Sequence, residues 1–225
     1  MKKTAIAIGL MLASSVAMAQ QAQPKFYIGA SIGEARVNAG DLGDSINEAA
    51  SELRALGVQN VSSKVDESDT AFKIFAGYQF NKWFAVEGGY ANFGEFTAGL
   101  SASDSRGPVS ASVNASAKVS AFFIDAVGHL PASDSFSVFG KAGLAYTRTE
   151  TKGSDAFTAP GQSFSDSFSE KENEVVPKLG VGVQWNATAN LSFRAEYEVY
   201  FNVGEEETTG ESNVKMLTAG AMFRF

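Results

Sequence analysis

The sequence predicts an all-β protein, specifically an eight-stranded antiparallel up-and-down transmembrane β-barrel. Three observations lead to this prediction. Eight segments alternate with a period of two, which is typical of strands with two different environments. One face of these strands carries no charge, whereas the opposite face carries charged residues among glycines. Short and long connections alternate along the chain, as they do in a barrel with tight turns at one rim and long loops at the other.

The N-terminal segment has the layout of a cleaved secretory signal. Lys2 and Lys3 precede an apolar run over about residues 5–13, and a small-x-small triplet ends at Ala19. This order of features is typical of a signal peptide, and the run is too short for a membrane-spanning helix. We therefore expect cleavage between Ala19 and Gln20, with a signal peptide over 1–19 and an outer-membrane barrel domain over 20–225.

Composition narrows the range of possible functions and partners. The chain has no cysteine and a formal net charge of −7, which argues against nucleic acid as a partner. After the signal, no apolar run approaches the roughly 20 residues of a membrane helix, so a membrane-spanning form has to be a closed barrel. The sequence contains no phosphate loop, zinc spacing or nucleophile elbow, and we predict neither a cofactor nor a metal site.

The strands and their connections follow from the alternation and from the turn residues. We predict strands over about 25–36, 69–80, 83–95, 117–130, 136–149, 175–185, 191–203 and 213–225. Asn, Asp, Pro and Ser supply three tight turns, over 81–83, 131–135 and 186–190. The long connections cover about 37–68, 96–116, 150–174 and 204–212.

Two of the long connections carry signals of their own. Ser45 and Glu48 fit a capping box, and apolar residues recur at helical spacing after them, which predicts a short helix over 44–57. This helix either packs on its own loop, lies over the barrel mouth or serves a partner. The alternating Ser and Ala of 96–116 predict strands that extend beyond the membrane. Acidic residues cluster over 66–69, 170–174 and 205–211, either as solvated loops or as contacts for divalent cations.

The two strand faces decide between a membrane barrel and a soluble one. An eight-stranded lumen is just wide enough for side chains to fill, so the face with glycines and charges fits the interior. The uncharged face then contacts lipid, where one Lys or Arg at mid-depth costs about 2–4 kcal/mol. Aromatic residues gather at the strand ends, as in the girdles of such barrels. We therefore predict a protein of the cell outer membrane.

The charged face predicts ion pairs within the lumen. Its members are Lys73, Glu87, Asp125, Lys141, Lys178, Arg194, Glu196 and Glu198. If Leu130 faces Phe136 across its turn, Asp125 lies opposite Lys141, and if Trp185 faces Leu191, Lys178 lies opposite Glu198. Glu87 and Arg194 stand at a similar height and are expected to meet across the lumen. Two interpretations remain open: a polar plug that fixes the strand register, or a gated pore whose pairs open.

Four segments resemble the OmpA-like transmembrane domain and its eight-stranded relatives in Gram-negative bacteria. They are "FYIGASIGEA", "AGYQFNKWFAVEGGYANFGE", "VFGKAGLAYTR" and "GVGVQWNATANLSFRAEYEVYFNVG". The resemblance implies a central lumenal salt bridge between Glu87 and Arg194. A second lumenal lysine and glutamate of the family correspond to Val127 and Gln184 here, a departure from the family pattern.

The resemblance also implies partners. These are outer-membrane lipid and lipopolysaccharide, the barrel-insertion machinery, and a host or surface ligand reached through the loops. The insertion machinery is expected to recognise the terminal aromatics Phe223 and Phe225, which serve equally well as girdle residues. The family often has a peptidoglycan-binding domain after the barrel. We see none after Phe225 and expect no wall-anchoring role.

These observations predict a structural or surface-interaction protein that is not an enzyme. The alternative is a narrow, porin-like pore for ions or small solutes. A third possibility is a lipid-modifying enzyme, for which the chain offers one histidine, His129, with Ser133 and Asp134 nearby in sequence.

Overall fold

The computed structural model describes residues 25–37, 40–104, 109–204 and 212–225. The signal peptide, its cleavage site and the acidic residues over 205–211 lie outside the described residues. The elements, in chain order, are β1 (Lys25–Val37), α1 (Gly40–Ala55), β2 (Ser62–Asp66), β3 (Ser68–Gln79), β4 (Phe84–Asp104), β5 (Val109–Pro131), β6 (Phe136–Ala159), β7 (Gln162–Asn186), β8 (Leu191–Val203) and β9 (Ser212–Arg224).

Eight of the nine strands close into a ring, which confirms the predicted barrel. Each consecutive pair of ring strands is antiparallel, and β1 pairs with both β3 and β9, so the first and last strands seal the cylinder. Closure removes the free edges, and every backbone polar group of the spanning part can be satisfied within the sheet. The ninth strand, β2, pairs only with β4 and lies outside the ring. This strand lies within the first predicted long connection, where no strand was expected.

The three tight turns share one geometry. The amides of Phe80, Ala132 and Ala187 donate to the carbonyls four residues ahead, at 3.0, 2.9 and 3.0 Å. One residue further along, a side-chain oxygen accepts the amide that opens the next strand. The acceptors are Asn81 Oδ1 (2.9 Å), Ser133 Oγ (3.1 Å) and Thr188 Oγ1 (3.0 Å). Polar turn residues therefore fix the register of three hairpins at this rim, which we call the short-turn end.

The helix of the first long connection packs on its own loop. It begins at Gly40, five residues before the predicted cap at Ser45, and it ends at Ala55. Ser63 Oγ on β2 donates to Asn47 Oδ1 at 3.2 Å, and Arg54 donates to the carbonyl of Val61 at 3.0 Å. These bonds tie α1 to β2 and the turn that precedes it. Among the described residues, no helix combines the length and apolar character needed to cross a bilayer.

Strands β4 to β7 continue far above the barrel at the opposite, long-loop end. We call this extension the crown: β2 together with 95–104, 109–119, 148–159 and 162–176. The extension predicted for 96–116 is confirmed. The loop predicted over 150–174 was wrong, because β6 and β7 pair without interruption up to Ala159 and Gln162. Residues 163–169 alternate Ser with Phe or Asp, which is a strand pattern. The polar composition of the segment nevertheless suggested a loop.

A β-bulge marks the start of the crown on β4. The pairing with β5 shifts between Asn92 and Glu95, and Gly94 adopts a positive φ of 83°. Asp69 stabilises this distortion, since its Oδ2 accepts the Glu95 amide at 2.7 Å. Because a bulge inserts one residue, Phe93 and Phe96 both point inward.

The two faces of the sheet exchange character between barrel and crown. In the barrel, exposed apolar side chains such as Ile124, Leu144 and Leu179 point outward to lipid. In the crown, the large apolar side chains lie on the lumen-side face, beside acids such as Asp155, Asp166 and Glu170, and serines dominate the outer face. The outer serines are Ser62, Ser101, Ser103, Ser110, Ser112, Ser116, Ser154, Ser163, Ser165, Ser167 and Ser169. The exchange indicates the level at which these strands leave the hydrocarbon core of the membrane.

Candidate functional site

The middle of the lumen holds eight charged side chains, four cationic and four anionic. Six consecutive ring strands, β3 to β8, supply them, and each residue is at most 4% exposed. The members are Lys73, Glu87, Asp125, Lys141, Lys178, Arg194, Glu196 and Glu198. We call this group the ionic core. Its formal charge sums to zero, which is what a desolvated interior requires.

The ionic core is one continuous network. Lys178 contacts Asp125 and Glu198, each at 2.9 Å. Lys73 joins Glu198 (2.7 Å) to Glu196 (2.5 Å). The network therefore runs across the lumen without a break.

The other half of the network centres on Glu87. Lys141 lies 2.5 Å from Glu87 and 2.9 Å from Glu196, and Arg194 Nη1 lies 2.6 Å from Glu87 Oε2. Every charge therefore has at least one partner of opposite sign within 3 Å.

Aromatic rings surround the cations. The Lys178 ammonium lies 4.0 Å from the ring centroid of Phe123, and the Arg194 guanidinium lies 4.9 Å from that of Phe139. Cations are attracted to ring faces, and the attraction grows when both are desolvated. Tyr27 adds a hydrogen bond from its hydroxyl to Glu87 Oε2 at 3.1 Å. Tyr27 was not among the predicted lumen residues, although its position in the alternation of β1 places it on the inward face.

The structure brings the predicted lumen residues together but corrects their register. Asp125 lies opposite Gly143 rather than Lys141, and Lys178 lies opposite Tyr200 rather than Glu198. Both shifts equal two residues, because the turns close between Ala132 and Phe136 and between Ala187 and Leu191. The long lysine side chains then reach acids that lie diagonally.

Two further layers of side chains lie in the lumen on either side of the ionic core. Toward the long-loop end lies an apolar layer of buried side chains: Phe93, Phe96, Val119, Val176, Tyr200, Met216 and Val203. Toward the short-turn end lies a polar layer in which Gln184 accepts a hydrogen bond from Arg194 Nε at 3.0 Å. Val127 is fully buried there.

The predicted candidates for chemistry outside the ionic core have ordinary structural partners. His129 is buried beside the Phe139 ring, with the centroids 5.6 Å apart. Ser133 Oγ accepts the Phe136 amide within its turn. No group of three or more metal-ligating side chains occurs among the described residues.

Crown carboxylates pair with neighbouring lysines. The hydrogen bond from Lys64 lowers the pKa of the Asp66 carboxyl below its usual value, and Thr97 adds a second hydrogen bond. The hydrogen bond from Lys152 likewise lowers the pKa of Glu150, and the charge of Lys171 reinforces it. These carboxylates therefore stay ionised in mildly acidic solution.

Comparison with known proteins shows which family the chain belongs to. A family model described as the OmpA-like transmembrane domain matches residues 21–225. The chain is similar to Outer membrane protein A of Serratia marcescens and of Shigella dysenteriae, at 29% identity in both cases. Each match covers 100% of this chain and 56% of the relative, so the chain spans just over half the length of these relatives.

Two solved structures resemble it more distantly. Neisserial surface protein A is 16% identical, with a TM-score of 0.46 over 89% of this chain and 97% of that one. Ail of Yersinia pestis is 19% identical, with a TM-score of 0.45 over 90% and 97%. The closed ring of eight strands and the family match over nearly the whole chain agree: this is an outer-membrane β-barrel of the OmpA-like transmembrane domain family.

Proposed function

We propose that the protein is a non-conducting structural barrel whose crown makes contacts at the cell surface. The observation that carries this proposal is the ionic core, a charge-balanced network that spans the lumen. The crown, which the barrel holds outside the membrane, supplies the contact surface.

The closed lumen follows from the three stacked layers. An open path for ions would have to separate several buried pairs at once. Losing one partner of such a pair typically costs about 3–5 kcal/mol. The path would then still have to cross the apolar layer around Phe93 and Tyr200, whose rings touch with centroids 4.7 Å apart. A polar plug is therefore favoured over a gated pore.

The crown offers a surface for polypeptide partners. β8 pairs with β7 only over 178–186, so residues 162–171 of β7 have β6 on one edge and no strand of the described chain on the other. A free strand edge pairs readily with another extended chain. Beside it, the side chains of Phe164 and Phe168 are 60% and 58% exposed on the lumen-side face. Exposed aromatics next to unpaired backbone fit an extended segment of a surface or host protein.

The outer face of the crown suits lipopolysaccharide. It presents serine hydroxyls together with the exposed cations Lys64, Lys118, Lys152 and Lys171. Hydroxyls bind sugars, and ammonium groups bind phosphate oxygens as point charges. This face stands directly above the lipid-facing band, where the sugars and phosphates of the outer leaflet lie.

The terminal aromatics fit the role of an insertion signal as well as that of a girdle. Phe223 and Phe225 both point outward at the short-turn end, and their ring centroids are 5.4 Å apart. The amide of Phe225 donates to the carbonyl of Phe26 at 3.0 Å, which seals the last strand against the first. The proposed recognition by the insertion machinery precedes this closure, when β9 is unpaired.

Planar-bilayer recording tests the closed lumen. The purified barrel is expected to give no steady conductance, and the double variant Glu87→Ala/Arg194→Ala is expected to stay closed as well, because the apolar layer around Phe93 and Tyr200 still blocks the path. The exposed pair Glu95/Lys118 supplies the control, Glu95→Ala/Lys118→Ala. Steady, voltage-independent conductance of the unmodified protein would replace the structural barrel by the pore.

Deletion of the crown hairpin tests the surface contact. A variant in which a four-residue turn replaces residues 150–171 keeps the spanning strands and removes Phe157, Phe164 and Phe168. Cells that display it are expected to adhere to epithelial monolayers no better than cells without the protein. The control replaces the outward Ser163, Ser165 and Ser167 by threonine and keeps the hairpin. Undiminished adherence of the deletion variant would refute the crown as the contact surface.

A further inference from the structure

One half-buried cation in the lumen has no acidic partner among the described residues. Arg224 lies on the lumen-side face of β9, next to the short-turn end, and it is not a member of the balanced ionic core. Its Nη2 donates to Asn186 Oδ1 at 3.1 Å, and no carboxylate of the described chain lies within salt-bridge distance. A cation that is taken out of water without a counter-charge is costly.

Two guanidinium nitrogens near this end also lack acceptors. Arg194 Nη2 and Arg224 Nε are both buried without a hydrogen-bond partner, and Arg194 is only 4% exposed. The fork of an arginine presents N–H donors in a plane, and leaving a charged one unsatisfied costs more than leaving a neutral one. Both orphan groups are therefore places where an acceptor from outside the chain is expected.

The side-chain amide oxygens of Asn186 and Gln184, next to the two arginines, already accept hydrogen bonds. Asn186 Oδ1 receives three donors: Gln184 Nε2 at 2.9 Å, Ser192 Oγ at 2.8 Å and Arg224 Nη2 at 3.1 Å. Gln184 Oε1 accepts Arg194 Nε at 3.0 Å. The oxygens of both side-chain amides are therefore engaged, and neither of them accepts from Arg194 Nη2 or Arg224 Nε.

The two arginines share one space. Gln184 and Asn186 link Arg194 to Arg224 in a single hydrogen-bonded chain, and Gly220, which lies opposite Arg194 on β9, contributes no side chain to this layer. The two guanidinium groups carry like charge and repel each other. The nearest acid, Glu87, is already engaged by Arg194 Nη1 and by Lys141. The local field is therefore positive.

We propose that this layer is an oxyanion-binding site, with Arg194 Nη2 and Arg224 Nε donating to two oxygens of one carboxylate or phosphate. Charge-assisted bonds to a two-oxygen acceptor are the strongest that arginine makes. The ligand enters from the short-turn end, because the ionic core and the apolar layer block the other direction. The inference goes beyond the proposed function, since a closed lumen with surface contacts needs no ligand at this end.

Side-chain NMR of the full barrel in lipid nanodiscs tests the site. The Nε–H signals of ¹⁵N-labelled arginines are followed during separate titrations with inorganic phosphate and with acetate, at constant ionic strength in chloride. We expect saturable shifts of Arg194 and Arg224, while the exposed crown residue Arg148 stays unchanged. Saturation by phosphate, acetate or both identifies which oxyanion binds.

Two variants make the result decisive. Arg224→Gln is expected to weaken binding at least tenfold, as read from the remaining Arg194 signal. Arg224→Lys, which keeps the charge but not the planar fork, is expected to recover part of the loss. Arg148→Gln serves as the matched control and is expected to bind like the wild type. Shifts that grow linearly with either anion, or equal saturation in Arg224→Gln, would overturn the site. The wild-type titration alone can refute it if a variant does not fold.

Discussion

At the scale of single residues, Glu87 is the hub of the lumen. Its two oxygens receive Lys141, Arg194 and the hydroxyl of Tyr27. Three donors on one carboxylate leave little unsatisfied capacity, so the charge is stabilised by direct bonds rather than by solvent. The surrounding rings exclude water, and each of these bonds is consequently stronger than it would be at the surface.

Glu87→Gln is expected to destabilise the barrel by about 3–5 kcal/mol, because it leaves Lys141 and Arg194 with less negative charge than they require. Denaturant unfolding from lipid vesicles, followed by tryptophan fluorescence, measures the change in the free energy of unfolding.

The matched control is Glu150→Gln in the crown. Glu150 pairs with Lys152 at 3.2 Å and Lys171 at 3.6 Å, but all three side chains reach solvent. Exposed pairs contribute about 0–1 kcal/mol, so this variant is expected to unfold like the wild type. Equal losses in the two variants would mean that burial does not strengthen the lumenal bonds.

Parity in the sequence predicted which residues face the lumen, but not which of them touch. The period of two assigns a face to every strand residue without reference to its neighbours. Contacts depend on the register, and the register depends on where each turn closes. Treating Leu130 as the partner of Phe136, rather than of Val138, displaced Asp125 from its observed partner Gly143. A shift of two keeps the faces correct, so alternation could not reveal the error.

At the scale of secondary-structure elements, the reversal of the two faces along β7 is the central feature. Leu179 points outward to lipid, whereas Phe168, higher on the same strand, points toward the lumen side. The strand itself continues without a bulge, so each residue keeps its side of the sheet. What changes along the strand is which of the two sides carries the apolar residues. The predicted strand from 175 ended where the outward apolar residues ended, which is why the crown part of β7 was assigned to a loop.

Leu179→Lys is expected to cost about 2–4 kcal/mol, since it places a charge on the lipid-facing side near mid-depth. The control is Ser167→Lys, on the same outer face of β7 but in the crown, and there we expect a change of no more than about 0.5 kcal/mol. The measurement is again equilibrium unfolding from vesicles. A comparable penalty at both positions would show that lipid reaches the crown.

At the scale of the whole molecule, barrel and crown have separate sources of stability. The barrel closes on itself and is filled by the ionic core and its two flanking layers. The crown depends on pairing among β2 and β4 to β7, and α1 is attached to β2. The sequence predicted the closed ring because its signal is periodic and repeated. It did not predict β2, which rests on pairing with the distant strand β4.

Removal of residues 150–171 is therefore expected to leave the barrel folded. Because the deleted residues contact neither the ionic core nor the ring closure between β1 and β9, the variant should keep its strand spectrum by circular dichroism. It should also keep its mobility difference between heated and unheated samples on gels. A variant that fails to insert would show that the barrel needs the hairpin to form.

The uninterrupted pairing of β6 with β7 has a consequence for variation and engineering. Residues from Phe136 with Trp185 up to Ala159 with Gln162 match one to one. Equal additions to the two strands therefore lengthen the hairpin while every residue below keeps its side of the sheet. A single extra residue on one strand would misalign the remainder. At the apex, Gly161 has a positive φ of 78° and open space around it. This apex is the natural place to graft a displayed epitope.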